Sequence, residues 1–328
     1  MAVDLAHDPE VARQVERTPE FVRTSVLPIE DAAGGDIAAA GGDDLRRTMQ
    51  QAARDAGVFA PHAPIEYGGL GLGMVDRAPV FEEAGYSLFG PTALNIAAPD
   101  EGNVHMLAHI ADPEQKQRYL EPLARGDVRS AFAMTEPAPG AGSDPSALAT
   151  RAVRADGGWR ITGRKHFITG ADGAEFFIVM ARTSGEPGQR GGATMFLAPA
   201  DAPGIEVGRH IGTLDKSMIG GHCAVTFTDV LVPDDAVLGA VDDEAEQGVG
   251  LFGALGKPVV QRIAQQLLDD ARALWRGQAI LGLPLELGVA DEDADQGAGV
   301  GGRRVHQAIA LQAGQGHRNG LGVVVDEH

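Results

Sequence analysis

Four oxygen-bearing side chains, Thr135, Glu136, Ser143 and Asp144, crowd one short run of this chain, AFAMTEPAPGAGSDPS from Ala131 to Ser146. Pro137, Pro139 and Pro145 fix φ within it, and Gly140 and Gly142 permit positive φ, so the backbone there is dictated. Such a loop suits close approach of backbone N–H groups to a polar, anionic ligand. The apolar stretch Ala131–Met134 ahead of it reads as a strand. A tight surface turn that merely joins two domains would carry the same residues, so the loop by itself leaves both readings open.

Three further groupings have the residue types for chemistry and are read differently. Gly69-Leu70-Gly71-Leu72-Gly73 looks like a dinucleotide loop, but its third glycine falls one place early and no strand precedes it, which argues against a Rossmann site. His105 and His109 stand four apart on a predicted helix, a spacing that a metal pair could use. No third ligand is evident, and a core or surface role is expected. Cys223, the chain's single cysteine, lies in the alternating apolar segment Cys223–Phe227 and reads as a packed core thiol.

The elements that must hold these residues follow from periodicity and composition. The chain has 328 residues, enough for two or three cores. Its 27 basic against 46 acidic residues, a net charge of −19, argue against nucleic acid or an anionic membrane as partner. One cysteine excludes an internal disulfide framework. With no basic, apolar leader at the N-terminus and no run of ~20 apolar residues, a cytoplasmic protein without a membrane span is expected.

Residues 1–127 read as an all-helical domain. Val11 to Val26 recur at helical spacing before Pro28, which should stop the run. Asp43 or Asp44 should cap a helix over Leu45–Ala56, and Met74–Glu83 and Asn103–Ile110 predict two more. The clearest start is Asp112-Pro113-Glu114-Gln115, a capping box with proline in the first turn. Over 128–241 the period changes to two, with turn signals between Trp159–Thr162, Glu175–Ala181, Ala193–Ala198, Ile205–Val207 and Cys223–Val232. That pattern predicts a β domain, sandwich or barrel. Residues 242–328 carry one amphipathic helix, Val260–Trp275, then an acidic cluster (Asp291, Glu292, Asp293, Asp295) and a stretch without period.

Read as a whole, the central loop resembles the flavin-binding signature of the acyl-CoA dehydrogenase family. That signature has an aromatic residue, a small residue, x-Thr-Glu-Pro and then Gly-Ser-Asp. Here these are Phe132, Ala133, Met134, Thr135, Glu136 and Pro137, followed by Gly142, Ser143 and Asp144. A second signature follows in order at Lys165-His166-Phe167-Ile168-Thr169-Gly170. Tyr67–Gly71, Pro113–Leu120 and Asp229–Gly239 are also similar to family text, and the likeness covers roughly residues 5 to 248.

The resemblance implies an acyl-CoA-dehydrogenase-like α+β multidomain fold: N-terminal helices, a middle β domain and, here, an incomplete helical C-terminal part. It implies FAD as cofactor, contacted by Phe132, Ala133, Met134, Thr135, Gly142, Ser143, Phe167, Ile168 and Thr169. Ser143 would also meet the acyl-CoA. A flavin needs an apolar face, which Met134 and Phe167 can supply, and donors at its polar edge, which Thr135 and Thr169 can supply. In the absence of a flavin, Phe167 and Ile168 would be strand core and Thr169 a turn hydroxyl. The implied reaction is α,β-dehydrogenation of an acyl-CoA thioester by an oxidoreductase of fatty acid metabolism, with electrons passed to an electron-transfer flavoprotein. A homo- or hetero-oligomer is implied as well. The family's base motif is missing, and Glu286 and Asp291 are unmarked carboxylates, so no catalytic residue is assigned. A second reading is an inactive companion subunit or fragment that binds flavin or acyl-CoA only with another chain. Periodicity and resemblance are lost together near Leu251, as a deletion or altered reading frame would leave them; an intact continuation in no alternative frame of the gene would remove that idea.

Overall fold

At Asp112 the expected helix start forms bond for bond in the computed structural model. The Asp112 carboxylate accepts the Gln115 N–H at 2.8 Å, and the Gln115 side chain accepts the Asp112 N–H at 3.2 Å. The structure describes residues 9–242 except Arg190 and Asp215, all of them within one unit, Leu5–Gly256. The expected helix Val260–Trp275, Glu286 and the acidic cluster from Asp291 lie outside the described residues.

Eight helical segments build the first part: α1 (Pro9–Phe21), α2 (Leu27–Ala33), α3 (Gly42–Asp55), α4 (Met74–Ala84), α5 (Gly90–Ala93), α6 (Asp100–Ile110), α7 (Pro113–Gln115) and α8 (Glu121–Ala124). Pro28 does not stop the first helix. A π turn over Val22–Val26 joins α1 to α2, with the Leu27 N–H bonded to the Val22 carbonyl. Proline in a regular helix lacks its N–H and collides with the carbonyl four residues back; a wider turn just upstream relieves both faults. The same device recurs over Lys116–Leu120, two residues ahead of Pro122.

The start of α3 is a second correction. Gly41 is its cap, with no side-chain cap bond, and Asp43 and Asp44 lie inside the first turn. There their charges favour the helix N-terminus. Asp43 bonds forward to Arg46 at 2.7 Å and across the fold to Arg129 at 3.0 Å.

The second part is one eight-stranded sheet: β1 (Ser130–Ala133), β2 (Arg151–Ala155), β3 (Gly158–Thr169), β4 (Phe176–Arg182), β5 (Ala193–Pro199), β6 (Ile205–His210), β7 (His222–Val232) and β8 (Val237–Leu238). The strand order is β6-β7-β3-β2-β4-β5-β8, and β1 pairs parallel with β4. The sheet curls over its own core. Phe177 of β4 meets Phe227 of β7 with ring centroids 6.0 Å apart, and Trp159 of β3 meets Phe196 of β5 at 5.5 Å, although neither pair of strands is adjacent.

β4 is buried along its whole length because it serves two cores. Phe177, Val179 and Ala181 face the sheet's interior, while Phe176, Ile178 and Met180 pack with the helices. Burying one such phenylalanine contributes about 1.5–3 kcal/mol, so this strand welds the two parts together. Tyr119 packs its ring, tilted by 57°, against Phe176 at 4.8 Å from the helical side. Gln115 adds two bonds of 2.9 Å to the carbonyls of Asp235 and Val237.

The other groupings find packing roles. A Cβ on Gly69 would stand 2.1 Å from the Ala63 carbonyl oxygen, so that loop is folded tightly on itself. His109 Nδ1 lies 2.9 Å from the His105 carbonyl oxygen on the same helix, with the two rings 4.3 Å apart. Cys223 is buried in the sheet core, and burial pushes its thiol pKa up. No described helix is long and apolar enough to cross a membrane.

Candidate functional site

The ends of β1 and β3 converge through a buried ion pair. Lys165, on β3, is 1% exposed; its Nζ donates to the Met134 carbonyl at 2.9 Å and to Glu136 Oε1 at 3.0 Å. A backbone bond runs beside it, from the His166 N–H to the Thr135 carbonyl at 2.9 Å. Two segments about thirty residues apart in sequence are thereby clamped side by side.

Burying a carboxylate is unfavourable unless its lone pairs are filled. Those of Glu136 take the N–H groups of Ala141 (3.2 Å), Ala149 (2.8 Å) and Thr150 (2.8 Å) as well as Lys165. Burial pushes the Glu136 carboxyl up, but the Lys165 ammonium and these donors outweigh it and hold the pKa at about 2. The chain between Glu136 and Thr150 is thus wrapped around one side chain. Gly140 is required there, since a Cβ would come within 2.7 Å of Glu136 Oε2. Sequence reasoning gave neither Glu136 nor Lys165 a role in holding the site. The available signal was a pair of opposite charges, one just past the apolar run Ala131–Met134 and one just ahead of Phe167-Ile168.

Along β1 the side chains alternate. Ala131 and Ala133 enter the sheet core, while Phe132 and Met134 are half-buried against the helical core. Ile168, 1% exposed, also points into the sheet core. Ala133 and Ile168 therefore present only backbone to a ligand.

Phe167 does the opposite. Its register neighbours Lys165 and Ile168 pair with Val225 and Cys223, so β3 has one residue too many and bulges. Phe167 is the extra residue, at φ +56° and 51% exposed, with its ring 4.4 Å from that of His166. A non-glycine residue held at positive φ in a bulge is strained, a cost that usually has a functional reason.

Donors are left over in the loop between β1 and β2. The N–H groups and hydroxyls of Thr135 and Ser143 have no partner among the described residues, whereas Gly142 pairs with Glu136 in an antiparallel bridge. Gly142 sits at φ +57° with open space where a Cβ would be. Thr169 Oγ1 lies 2.9 Å from His222 Nδ1 on β7.

Arg129 ties this strand end to the helices. It grips Asp43 of α3 with two nitrogens and donates to the carbonyls of Gly170 (2.9 Å) and Asp172 (2.8 Å). A cavity beside it is lined by Asp100, Ser130, Gly170 and Arg46. Burial pushes the Asp100 carboxyl up, although Ser130 donates both N–H (2.8 Å) and O–H (2.6 Å) to it.

Similarity to known proteins runs through the same region. A family model of the acyl-CoA dehydrogenase N-terminal domain matches residues 9–127, and that of the middle domain matches 131–230. The chain is 33% identical over 232 residues to (R)-benzylsuccinyl-CoA dehydrogenase of Thauera aromatica, covering 68% of this chain and 56% of that one. Among solved structures, a protein assigned as an acyl-CoA dehydrogenase from Mycobacterium abscessus superposes with a TM-score of 0.67 at 33% identity, over 75% of this chain and 64% of that one. A glutaryl-CoA dehydrogenase from Mycobacterium smegmatis in complex with FADH2 gives 0.58 at 25% identity, over 73% and 58%. The chain spans about a fifth to three fifths of the length of the curated relatives it matches.

Proposed function

This chain belongs to the acyl-CoA dehydrogenase family, and we propose that it binds FAD where β1 and β3 meet and serves in α,β-dehydrogenation of an acyl-CoA thioester. The observation that carries the reading is the convergence itself: the Glu136–Lys165 pair brings Met134 and Thr135 beside Lys165 and His166, next to the bulged Phe167. The donor set fits the cofactor. Phe167, Met134 and Phe132 can form an apolar and aromatic flank, Thr135 and Thr169 can serve its polar edge, and the Ser143 N–H can meet an anionic group.

When bound, FAD supplies the acceptor for the hydride from the β-carbon of the thioester. The chain's own residues hold and orient. Thr135 donates from an unpaired N–H and hydroxyl, and Ser143 offers an exposed hydroxyl to the cofactor or the acyl-CoA. Phe167 covers one flank and keeps water from it. The carboxylate that takes the α-proton is not assigned among the described residues. Electrons would leave to an electron-transfer flavoprotein, and the working form would be a homo- or hetero-oligomer.

Titration of the purified full chain with FAD, followed by flavin fluorescence, tests the site. Saturable quenching that Phe167→Ala and Thr135→Val each weaken about tenfold is expected. No quenching with the wild-type chain contradicts it.

A further inference from the structure

The backbone on both sides of Thr169 and His222 is pinned. The two residues are register partners across β3 and β7, the Gly170 N–H bonds to the Gly221 carbonyl at 2.8 Å, and the Ile211 N–H bonds to the His222 carbonyl at 2.7 Å. Glycines at 220 and 221 make the turn into β7, with φ +76° and +54°. A Cβ on Gly220 would fall 2.4 Å from the Asp172 carbonyl oxygen, and one on Gly221 would fall 2.7 Å from His210 Nδ1. The imidazole is therefore delivered to the Thr169 hydroxyl by a fixed frame, and the 2.9 Å contact between Oγ1 and Nδ1 follows from that frame.

A threonine hydroxyl has one proton to give and two lone pairs to offer, and its β-branched side chain chooses among a few χ1 wells. A partner on one side decides which well is filled and which part of the hydroxyl remains for a ligand. His222 Nε2 has no partner among the described residues. The ring's protein contact is thus spent on Thr169.

We propose that His222 is a positioning residue of the cofactor site: through Nδ1 it locks the rotamer and direction of the Thr169 hydroxyl, so that Thr169 meets the polar edge of the flavin already oriented. The inference rests on the proposed flavin site. His222 acts through Thr169, and its worth is that of one hydrogen bond together with the freedom it removes.

The test compares FAD dissociation constants of the full-length wild type, His222→Phe, His222→Asn, Thr169→Val and the double variant His222→Phe/Thr169→Val, with thermal midpoints recorded beside them. Asparagine places an amide close to where Nδ1 stands, whereas phenylalanine keeps ring volume without a polar atom. His222→Phe should weaken FAD binding about fivefold at an unchanged midpoint, the weight of one hydrogen bond. His222→Asn should stay within about twofold of wild type. The double variant should be no weaker than Thr169→Val alone, because the two residues act as one unit. Additive losses in the double variant, wild-type binding by His222→Phe, or failure of His222→Asn to rescue would each overturn the inference while FAD still binds the wild type. A wild-type chain that takes up no FAD overturns both the inference and the site it rests on.

Discussion

The single side chain on which most of the site depends is Glu136. It is 4% exposed, receives three backbone N–H groups and one ammonium, and so fixes the loop from Ala141 to Thr150 and the end of β3 at once. Removing one partner of a buried pair leaves the other charge uncompensated, which typically costs about 3–5 kcal/mol. Glu136→Gln should lose stability of about that size in urea unfolding. Adding Lys165→Met to it should restore part, since the stranded ammonium is gone; a double variant weaker than the single would show the pair is not what matters. The pair also has an acid signature. The folded pKa of Glu136, about 2, lies below the ordinary 4.5. The stabilisation is therefore complete above the ordinary value and lost as pH falls from there toward 2. Unfolding curves between pH 6 and 3 should fall more steeply for wild type than for Glu136→Gln. Parallel curves would contradict the assignment.

At the scale of elements, the bulge in β3 is the part with the clearest division of labour. Phe167 is strained at φ +56° and half out in solvent, which makes little sense for folding alone. Phe167→Gly removes the strain, about 1–3 kcal/mol, against a glycine entropy of about 0.5–1 kcal/mol. The variant should be at least as stable as wild type in thermal unfolding and yet bind FAD about tenfold more weakly. A destabilised variant with intact FAD binding would make Phe167 a structural residue. Much of the element layout was legible beforehand because its causes are local. The capping box at Asp112 and Gln115 needs only four residues, and the period-two runs predicted β4, β5 and β7 close to their observed bounds, whereas β3 and β6 run well beyond the expected Trp159–Thr162 and Ile205–Val207. The bulge, the π turns ahead of Pro28 and Pro122, and the shift of Asp43 from cap to ion-pair partner were not legible. Each depends on a partner far along the chain or on relief of a clash that the helix period does not encode. Within the proposed site, Phe132, Met134, Thr135 and Phe167 were named from their motif, whereas the contacts of His222 with Thr169 and of Arg129 with Asp43 and Gly170 are announced by no spacing.

Across the whole molecule, the proposed site depends on holding two cores and one strand end in a common frame. β4 shares its faces between helices and sheet, and Arg129 carries the frame from Asp43 on α3 to Gly170 beside the bulge. Family membership follows from residues 9–127 and 131–230. The reaction is proposed for a chain spanning about a fifth to three fifths of its curated relatives' length. The most direct measurement is therefore a visible spectrum of the full chain reconstituted with FAD, recorded without oxygen while acyl-CoA thioesters of several chain lengths are added in turn. Bleaching of the flavin band by at least one thioester is the result expected of a dehydrogenase. A bound flavin that no thioester bleaches would contradict the proposed reaction, and a chain that stays colourless would contradict the cofactor site itself.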